Sequence, residues 1–268
     1  MSLTQVIKSL LPSTRAGERG DWDTAGGDAH AHPSANISNF LATVETPFAR
    51  GLWSQARQTP AHPSRIGSSI IPRGLVVHTT DTYPGGFSAI VRSWTTTVGK
   101  GNGAHFMIGR TPVDGVVQFV SIFKNGNHAG GPNHGYVRLP DGSSLHPNTC
   151  YVGIELDAGG ALKGKNGVFI HPDTGKTIPP ADVFVDEKGR PWHKVTEYQM
   201  QQLKLLWKDL YPACKPFPTG TKLSIDASYE SQGVGWASPR YTNLVAHASL
   251  NPIQKTDCGP QVMAWMKS

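Results

Sequence analysis

Four short apolar runs, each bounded by glycine, proline or polar residues, constrain most strongly what this chain can fold into. They are "GLVVH" from Gly74, "AHFMIG" from Ala104, "GVVQFVS" from Gly115 and "CYVGIEL" from Cys150. Apolar, β-branched runs of about four to eight residues between turn-forming residues are typical of buried β-strands. The chain is therefore expected to build a sheet from these runs.

Amphipathic stretches between and after the strands predict helices on the faces of that sheet. "GGFSAIVRSWTTTVG" follows the first strand and "TEYQMQQLKLLWKDLY" follows the last, with Thr196 as an N-cap residue. A short helix, "PQVMAWMK", comes near residue 268. This order predicts an α/β fold with a central mixed β-sheet flanked by α-helices.

The chain divides into two parts by composition. Residues 1–65 are expected to be an N-terminal extension, partly helical and loop-rich, with helices at Leu3–Leu11 and within residues 37–53. Residues 66–268 are expected to form the main domain, with a Gly-, Pro- and Lys-rich insertion at about 157–195.

The charge of the chain favours an anionic partner. The formal net charge is +6 and the pI is about 9.2, which suits nucleic acid, an anionic membrane surface or an anionic cell wall. No block of consecutive Lys and Arg is present, so we expect no nucleic-acid binding. No apolar run approaches the ~18 residues of a membrane span, and residues 1–22 lack the apolar core of a signal peptide.

The three cysteines, Cys150, Cys214 and Cys258, do not form a disulfide framework. A disulfide between Cys150 and Cys214 is an alternative if the protein works outside the cytosol.

His78, at the end of the first apolar run, is either a core histidine or a metal ligand. The loop "HASLNPIQKTDCGP" supplies His247, Lys255, Asp257 and Cys258. Catalytic zinc takes three protein ligands and keeps a fourth position for water. His78, His247 and Asp257 would make such a set, with Cys258 as a competing third ligand.

Five motifs in order resemble one family over about residues 70–268. They are "LVVHTT", "AHFMIGR" with "GVVQFV", "NHAGG", "VGIELDAG" and "HASLNPIQKTDCGP". Together they resemble the zinc-dependent N-acetylmuramoyl-L-alanine amidases of the type 2, peptidoglycan-recognition-protein-like family. The resemblance implies the same fold and a Zn²⁺ cofactor.

The resemblance also implies a role for individual residues. Zinc would be bound by His78, His247 and Asp257, with Cys258 as the alternative third ligand. Glu155 matches the acidic catalytic position, and Lys255 matches the lysine that stabilises the oxyanion. Residues expected to contact the substrate are His128, Thr79 and Asn127.

The remaining histidines are expected to be structural or solvated. His105 is expected to pack within its strand, whereas His30 and His32 lie in a polar loop. A solvated role is the expectation for four loop histidines, namely His134, His146, His171 and His193.

The leading functional hypothesis is a peptidoglycan hydrolase that cleaves the amide bond between N-acetylmuramic acid and L-alanine. A non-catalytic peptidoglycan-binding module of the same fold is the alternative from another class. Without a signal peptide, the protein is expected to be made in the cytoplasm and to act in the periplasm or on the cell wall. Delivery by a secretion system, with a cognate immunity protein as partner, or by a phage holin would achieve this. A cytosolic muropeptide-recycling amidase is the third hypothesis.

Overall fold

A mixed β-sheet organises the part of the chain that the structure describes. The structure is a computed structural model and describes residues 48–82, 86–98, 103–129, 136–224, 243–250 and 258–268. All of these residues belong to one compact unit, Phe40–Ser268. The predicted helix at Leu3–Leu11, the histidines His30, His32 and His134, and two site residues, Lys255 and Asp257, lie outside the described residues.

The described residues form fourteen strands. In chain order they are β1 (Arg57–Gln58), β2 (Gly74–Thr79), β3 (Phe106–Ile108), β4 (Val116–Gln118), β5 (Tyr136–Arg138), β6 (Ser144–Leu145), β7 (Tyr151–Leu156), β8 (Lys163–Lys165), β9 (Val168–Ile170), β10 (Thr177–Ile178), β11 (Val183–Val185), β12 (Pro191–His193), β13 (Lys222–Ser224) and β14 (Leu244–Ala246).

They also form four α-helices, α1 (Phe87–Thr96), α2 (Glu197–Leu210), α3 (His247–Leu250) and α4 (Pro260–Lys267). Single-turn 3₁₀ helices lie at Ala49–Gly51, Pro63–Arg65, Pro147–Thr149, Pro180–Asp182 and Tyr211–Ala213. No helix in this part of the chain is long and apolar enough to cross a membrane.

The central sheet has six strands in the order β1-β4-β3-β7-β2-β14. The strands β14, β2, β7 and β3 are parallel, β4 runs antiparallel to β3, and β1 is parallel to β4. All four apolar runs are in this sheet, so the predicted mixed sheet is confirmed. The two edge strands, β1 and β14, are short and were not predicted from the sequence.

The sheet is covered by helices on both faces. Helices α2 and α4 pack on the face that carries Leu75, Val77 and Ile154. Helix α1 packs on the opposite face, against Met107 and Val117. Every residue of β2 is buried, which explains why its sequence reads as a continuous apolar run.

Helix α2 is fixed to the sheet by its first turn. The Thr196 side chain accepts a hydrogen bond from the Gln199 backbone N–H, and the Gln199 side chain accepts one from the Thr196 N–H, which makes a capping box. The Gln199 Nε2 also donates to the carbonyls of Ile108 and Asp157, each at 3.2 Å. One buried amide therefore joins the helix to the ends of β3 and β7.

Residues that precede the main domain in the sequence analysis pack into the core of the sheet. Phe48 and Trp53 are fully buried and pack with Phe106. The Trp53 indole N–H donates to Asp209 of α2 at 2.8 Å. Residues 48–58 are thus part of the packed sheet-and-helix unit.

The insertion between β7 and α2 folds into two small antiparallel sheets, β8–β9–β10 and β11–β12. Strand β12 returns the chain to the main sheet, where the backbone N–H of His193 donates to the carbonyl of Gly160 at 2.8 Å. The three cysteines are buried free thiols, so Cys150 and Cys214 form no disulfide in this structure.

Candidate active site

Strand alternation brings the candidate site residues to one face of the sheet. In β2, Leu75 and Val77 face the core under α2 and α4, so His78 shares the opposite face with Val76. In β7, Val152, Ile154 and Leu156 face the same core. Glu155 therefore lies on the same face as His78.

His247, His78 and Glu155 form a row across three neighbouring parallel strands. His78 and Glu155 are direct register partners between β2 and β7. Val77 pairs with Ala246, so His247 follows β14 one step beyond, beside His78. The ring centroids of His78 and His247 are 4.3 Å apart. Parallel pairing thus gathers residues that are distant in sequence at the carboxyl edge of the sheet.

His128 lies behind His78 and fixes its tautomer. Its Nε2 is 2.9 Å from the carbonyl oxygen of Tyr151, and its Nδ1 is 3.1 Å from Nε2 of His78. A carbonyl can only accept, so Nε2 of His128 carries the hydrogen and Nδ1 accepts from the Nε2–H of His78. Neutral His78 then has its lone pair on Nδ1, the atom through which it can bind a metal.

His105 packs on the far side of His128, with ring centroids 5.6 Å apart. Its Nε2–H donates to the carbonyl of Lys124 at 2.6 Å, and its Nδ1 accepts from the backbone N–H of Gly153 at 2.9 Å. His105 is fully buried, and burial lowers its pKa to about 4. The expectation that His105 packs within its strand agrees with this position.

The pKa of His128 is held well below its usual value, first by burial and then by the neighbouring rings of His78 and His105. The hydrogen bond to Tyr151 opposes this shift. His128 is therefore a neutral ring at physiological pH, as its role as acceptor from His78 requires.

The other sequence-predicted residues lie around this row. Thr79 ends β2 on the face that carries Leu75 and Val77, opposite His78, and its hydroxyl donates to Asp81 at 3.0 Å. Asn127 is partly buried, with a left-handed backbone at φ 51° next to His128. Cys258 is buried and packs in the core that includes Ala246 and Val262.

The residue types of the row fit a metal. A metal-binding histidine normally donates its other ring N–H to a fixed acceptor, as His78 does to His128. His247 brings a second imidazole to the same place, and the Oε2 atom of Glu155 is buried at the end of the row. Within the described ranges no three His, Cys, Asp or Glu side chains form a complete metal-binding group.

The sequence expectation for two insertion histidines is wrong. His171 and His193 are 1% and 3% exposed, so neither is a solvated loop residue. His193 lies in β12 and His171 directly follows β9, and backbone N–H groups donate to both rings. For His193, the only sequence signal of burial was the alternation of side chains in "PWH", and three residues are too few to establish such a pattern.

Comparison with protein families identifies the class of the chain. A model of the N-acetylmuramoyl-L-alanine amidase family matches residues 68–259. The chain belongs to this family, and it is an enzyme of the N-acetylmuramoyl-L-alanine amidase class.

Solved structures of amidases are similar to parts of the chain. A selenomethionine derivative of AmpD is 21% identical over 78% of this chain and 90% of its own, with a TM-score of 0.42. AmiD from E. coli is 21% identical over 81% of this chain and 62% of its own, with a TM-score of 0.43. AmpDH3 from Pseudomonas aeruginosa is 20% identical over 75% of this chain and 61% of its own, with a TM-score of 0.41. A comparison with curated protein sequences found no match.

Proposed function

We propose that this enzyme is a zinc-dependent peptidoglycan hydrolase that cleaves the amide bond between N-acetylmuramic acid and the L-alanine of the stem peptide. The observation that carries the proposal is the row of His247, His78 and Glu155 across β14, β2 and β7. His78 and His247 would hold the metal, and Asp257 would complete the ligand set, with Cys258 as the alternative.

The chemistry divides among the residues of the row and of the C-terminal loop. A bound zinc ion would polarise the amide carbonyl and lower the pKa of a water molecule to about 7. Glu155 would take the proton of the attacking water and pass it to the leaving amine of L-alanine. Lys255 would stabilise the negative charge that develops on the carbonyl oxygen. His128 would keep His78 in the tautomer that offers Nδ1.

The substrate class follows from the family. The E. coli AmiD structure holds anhydro-N-acetylmuramic acid-L-Ala-D-γ-Glu-L-Lys. We propose that this chain acts on muropeptides of the same type. The γ-linkage of the glutamate leaves its α-carboxylate free, one residue beyond the alanine at the cleaved bond.

The test is a digestion of purified sacculi with the whole protein, followed by mass spectrometry of the products. We expect stem peptides with a free L-alanine amine and glycan without peptide. Chelator should stop the reaction, and added Zn²⁺ should restore it. Cleavage within the peptide or within the glycan would contradict the proposal, and binding to sacculi without products would favour the non-catalytic module.

Two pairs of variants assign the residues. Glu155→Gln should lower kcat by at least about 100-fold while zinc content stays the same, with His62→Gln, remote from the row, as the matched control.

Asp257→Ala and Cys258→Ala are compared for zinc content. Loss of zinc only in the Asp257 variant assigns the third ligand to Asp257, and the reverse result assigns it to Cys258.

We propose that the enzyme acts on the wall outside the cytosol, as a delivered antibacterial effector or an endolysin. The net charge of +6 supports this role because the wall is anionic. Expression targeted to the periplasm should lyse a bacterial host, whereas cytosolic expression should not. Rapid turnover of soluble muropeptides together with inactivity on sacculi would favour the recycling role instead. For an effector, a cognate immunity protein should block the lysis.

A further inference from the structure

The side-chain amide of Asn148 holds the backbone next to His128. Asn148 lies in the 3₁₀ helix Pro147–Thr149, one residue before β7 begins. Its Oδ1 accepts a hydrogen bond from the backbone N–H of Ala129 at 2.6 Å. Asn148 is 7% exposed and Ala129 is 0% exposed, so water cannot take the place of this acceptor.

Contacts within its own helix orient this amide. The Nδ1 atom of His146 accepts from the backbone N–H of Asn148 at 3.1 Å, which caps the helix. Pro147 occupies the first helical position, where its fixed φ is already helical. The orientation of Asn148 is therefore set locally, and its side-chain oxygen is a preformed acceptor for the segment that carries His128.

Of two side-chain acceptors that hold this segment, Asn148 is the buried one. On the other side of His128, the Oδ1 atom of Asn125 accepts from the backbone N–H of Asn127 at 2.8 Å. Asn127 is only partly buried, so water can replace Asn125 as the acceptor. Ala129 is fully buried, and loss of the Asn148 oxygen would leave its N–H without an acceptor. The segment would then have to shift to recover a partner.

The contact between His128 and His78 tolerates little movement. Nδ1 of His128 is 3.1 Å from Nε2 of His78, near the long end of the range for a hydrogen bond. A shift of about 0.5 Å would lengthen this distance to about 3.6 Å, at which no hydrogen bond remains. The His78 ring would then lose the partner that keeps its hydrogen on Nε2, and both tautomers would be populated.

We propose that Asn148 is a positioning residue for the metal centre, which acts on His78 through the backbone of Ala129 and the ring of His128. Its contribution is to keep the hydrogen of His78 on Nε2 and the lone pair on Nδ1, where a metal ion can use it. The identity of that ion as zinc rests on the proposed function, whereas the tautomer of His78 does not.

The tautomer is measured in the whole, metal-free, ¹⁵N-labelled protein by NMR of the histidine rings at neutral pH. The wild type should show a protonated Nε2 and an unprotonated Nδ1 at His78. Asn148→Leu has a similar volume but no acceptor, and it should move both signals towards the average of the two tautomers. Asn148→Asp keeps an acceptor oxygen and should restore the wild-type signals. Thr149→Val, which removes an exposed hydrogen bond of the same helix, is the matched control and should leave them unchanged.

Titration with Zn²⁺ gives a second readout. Asn148→Leu should lower the zinc affinity by about tenfold, the low end for loss of a residue that supports a metal ligand. Asn148→Asp and Thr149→Val should keep the wild-type affinity. An affinity in Asn148→Asp as low as in Asn148→Leu would overturn the role of the acceptor oxygen.

The two readouts separate this proposal from the proposed function. Wild-type His78 signals in Asn148→Leu would overturn the positioning role even if the protein is an active amidase. A changed tautomer would support the role even if the proposed cleavage is not observed. If Asn148→Leu fails to fold, Asn148→Ser, whose hydroxyl ends one bond short of the amide oxygen, is tested with the same expectations.

Discussion

The position of His128 depends on the absence of a side chain at Gly153. His128 packs directly over Gly153 of β7, where an added Cβ would stand 2.6 Å from the Cβ of His128. Only glycine allows the His128 ring to lie close enough to β7 to donate to Tyr151 and accept from His78. The tautomer of a proposed metal ligand thus depends on a residue with no functional group.

Gly153→Ala is therefore expected to displace His128 and to free the His78 ring. Zinc affinity should fall by about 10- to 100-fold, the usual effect of removing a partner of a metal ligand. Isothermal titration with Zn²⁺ measures the affinity. Gly164→Ala is the control, since its added Cβ would meet the Pro191 ring at 3.1 Å and the Phe169 ring at 3.3 Å, both in the insertion. Equal affinities in wild type and Gly153→Ala would show that His128 does not support His78.

The buried ring of His105 makes the fold sensitive to acid. The pKa of His105 is lowered to about 4 in the folded protein by burial, against about 6.5 in an unfolded chain. The unfolded state therefore binds more protons between these values, and the free energy of unfolding decreases as pH falls from about 6.5 towards 4. From pH 7 to pH 5 this one group accounts for about 2 kcal/mol.

NMR of the His105 ring provides the measurement. Its Cε1–H signal should not titrate until about pH 4, while urea melts should show lower stability at pH 5 than at pH 7. A ring that titrates near pH 6.5 in the folded protein would contradict this account.

At the scale of elements, Gln199 is the main polar link between helix and sheet. It is fully buried and donates to the carbonyls of Ile108 and Asp157, which end β3 and β7. Strand β7 also carries Glu155 of the row, so the first turn of α2 supports the candidate site from the opposite face.

Gln199→Met keeps the volume but removes the donors, and it leaves two buried carbonyls without this partner. The free energy of unfolding should fall by about 2–4 kcal/mol. Gln201→Met on the exposed side of the same helix is the matched control and should change it by less than about 0.5 kcal/mol. Chemical denaturation measures the free energy of unfolding of both variants. Equal decreases would show that Gln199 has no special role in joining the helix to the sheet.

Some of these elements could be predicted from local sequence patterns, and others could not. The strands and the capping box at Thr196 follow from local patterns, since β-branched runs and capping residues act over a few neighbours. Strand β14 carries only Leu244–Ala246 and is recognisable only through its pairing with β2. The burial of His171 and His193 depends on the fold of the whole insertion, which no short pattern encodes.

At the scale of the whole molecule, the fold extends beyond the part that resembles the family. The family model starts at residue 68, yet Trp53 is fully buried and bonded to Asp209 of α2. A segment outside the matched residues is thus part of the hydrophobic core.

Trp53→Ala should destabilise the whole enzyme by about 3–5 kcal/mol, because it empties a large core site and removes the indole N–H that donates to Asp209. Leu52→Ala, at a neighbouring exposed position, is the control and should be nearly neutral. Thermal unfolding followed by circular dichroism gives the comparison. A Trp53 variant as stable as the wild type would mean that this segment is not part of the core.

The pairing of β14 with β2 has a consequence for shortened forms of the chain. The two imidazoles of the row are translated far apart, and the second lies beyond the end of β14. A nascent chain that has not yet emerged past His247 holds only one of them. Under the proposed function, a chain that terminates upstream of His247 lacks one of the two proposed metal-binding imidazoles and is expected to be inactive.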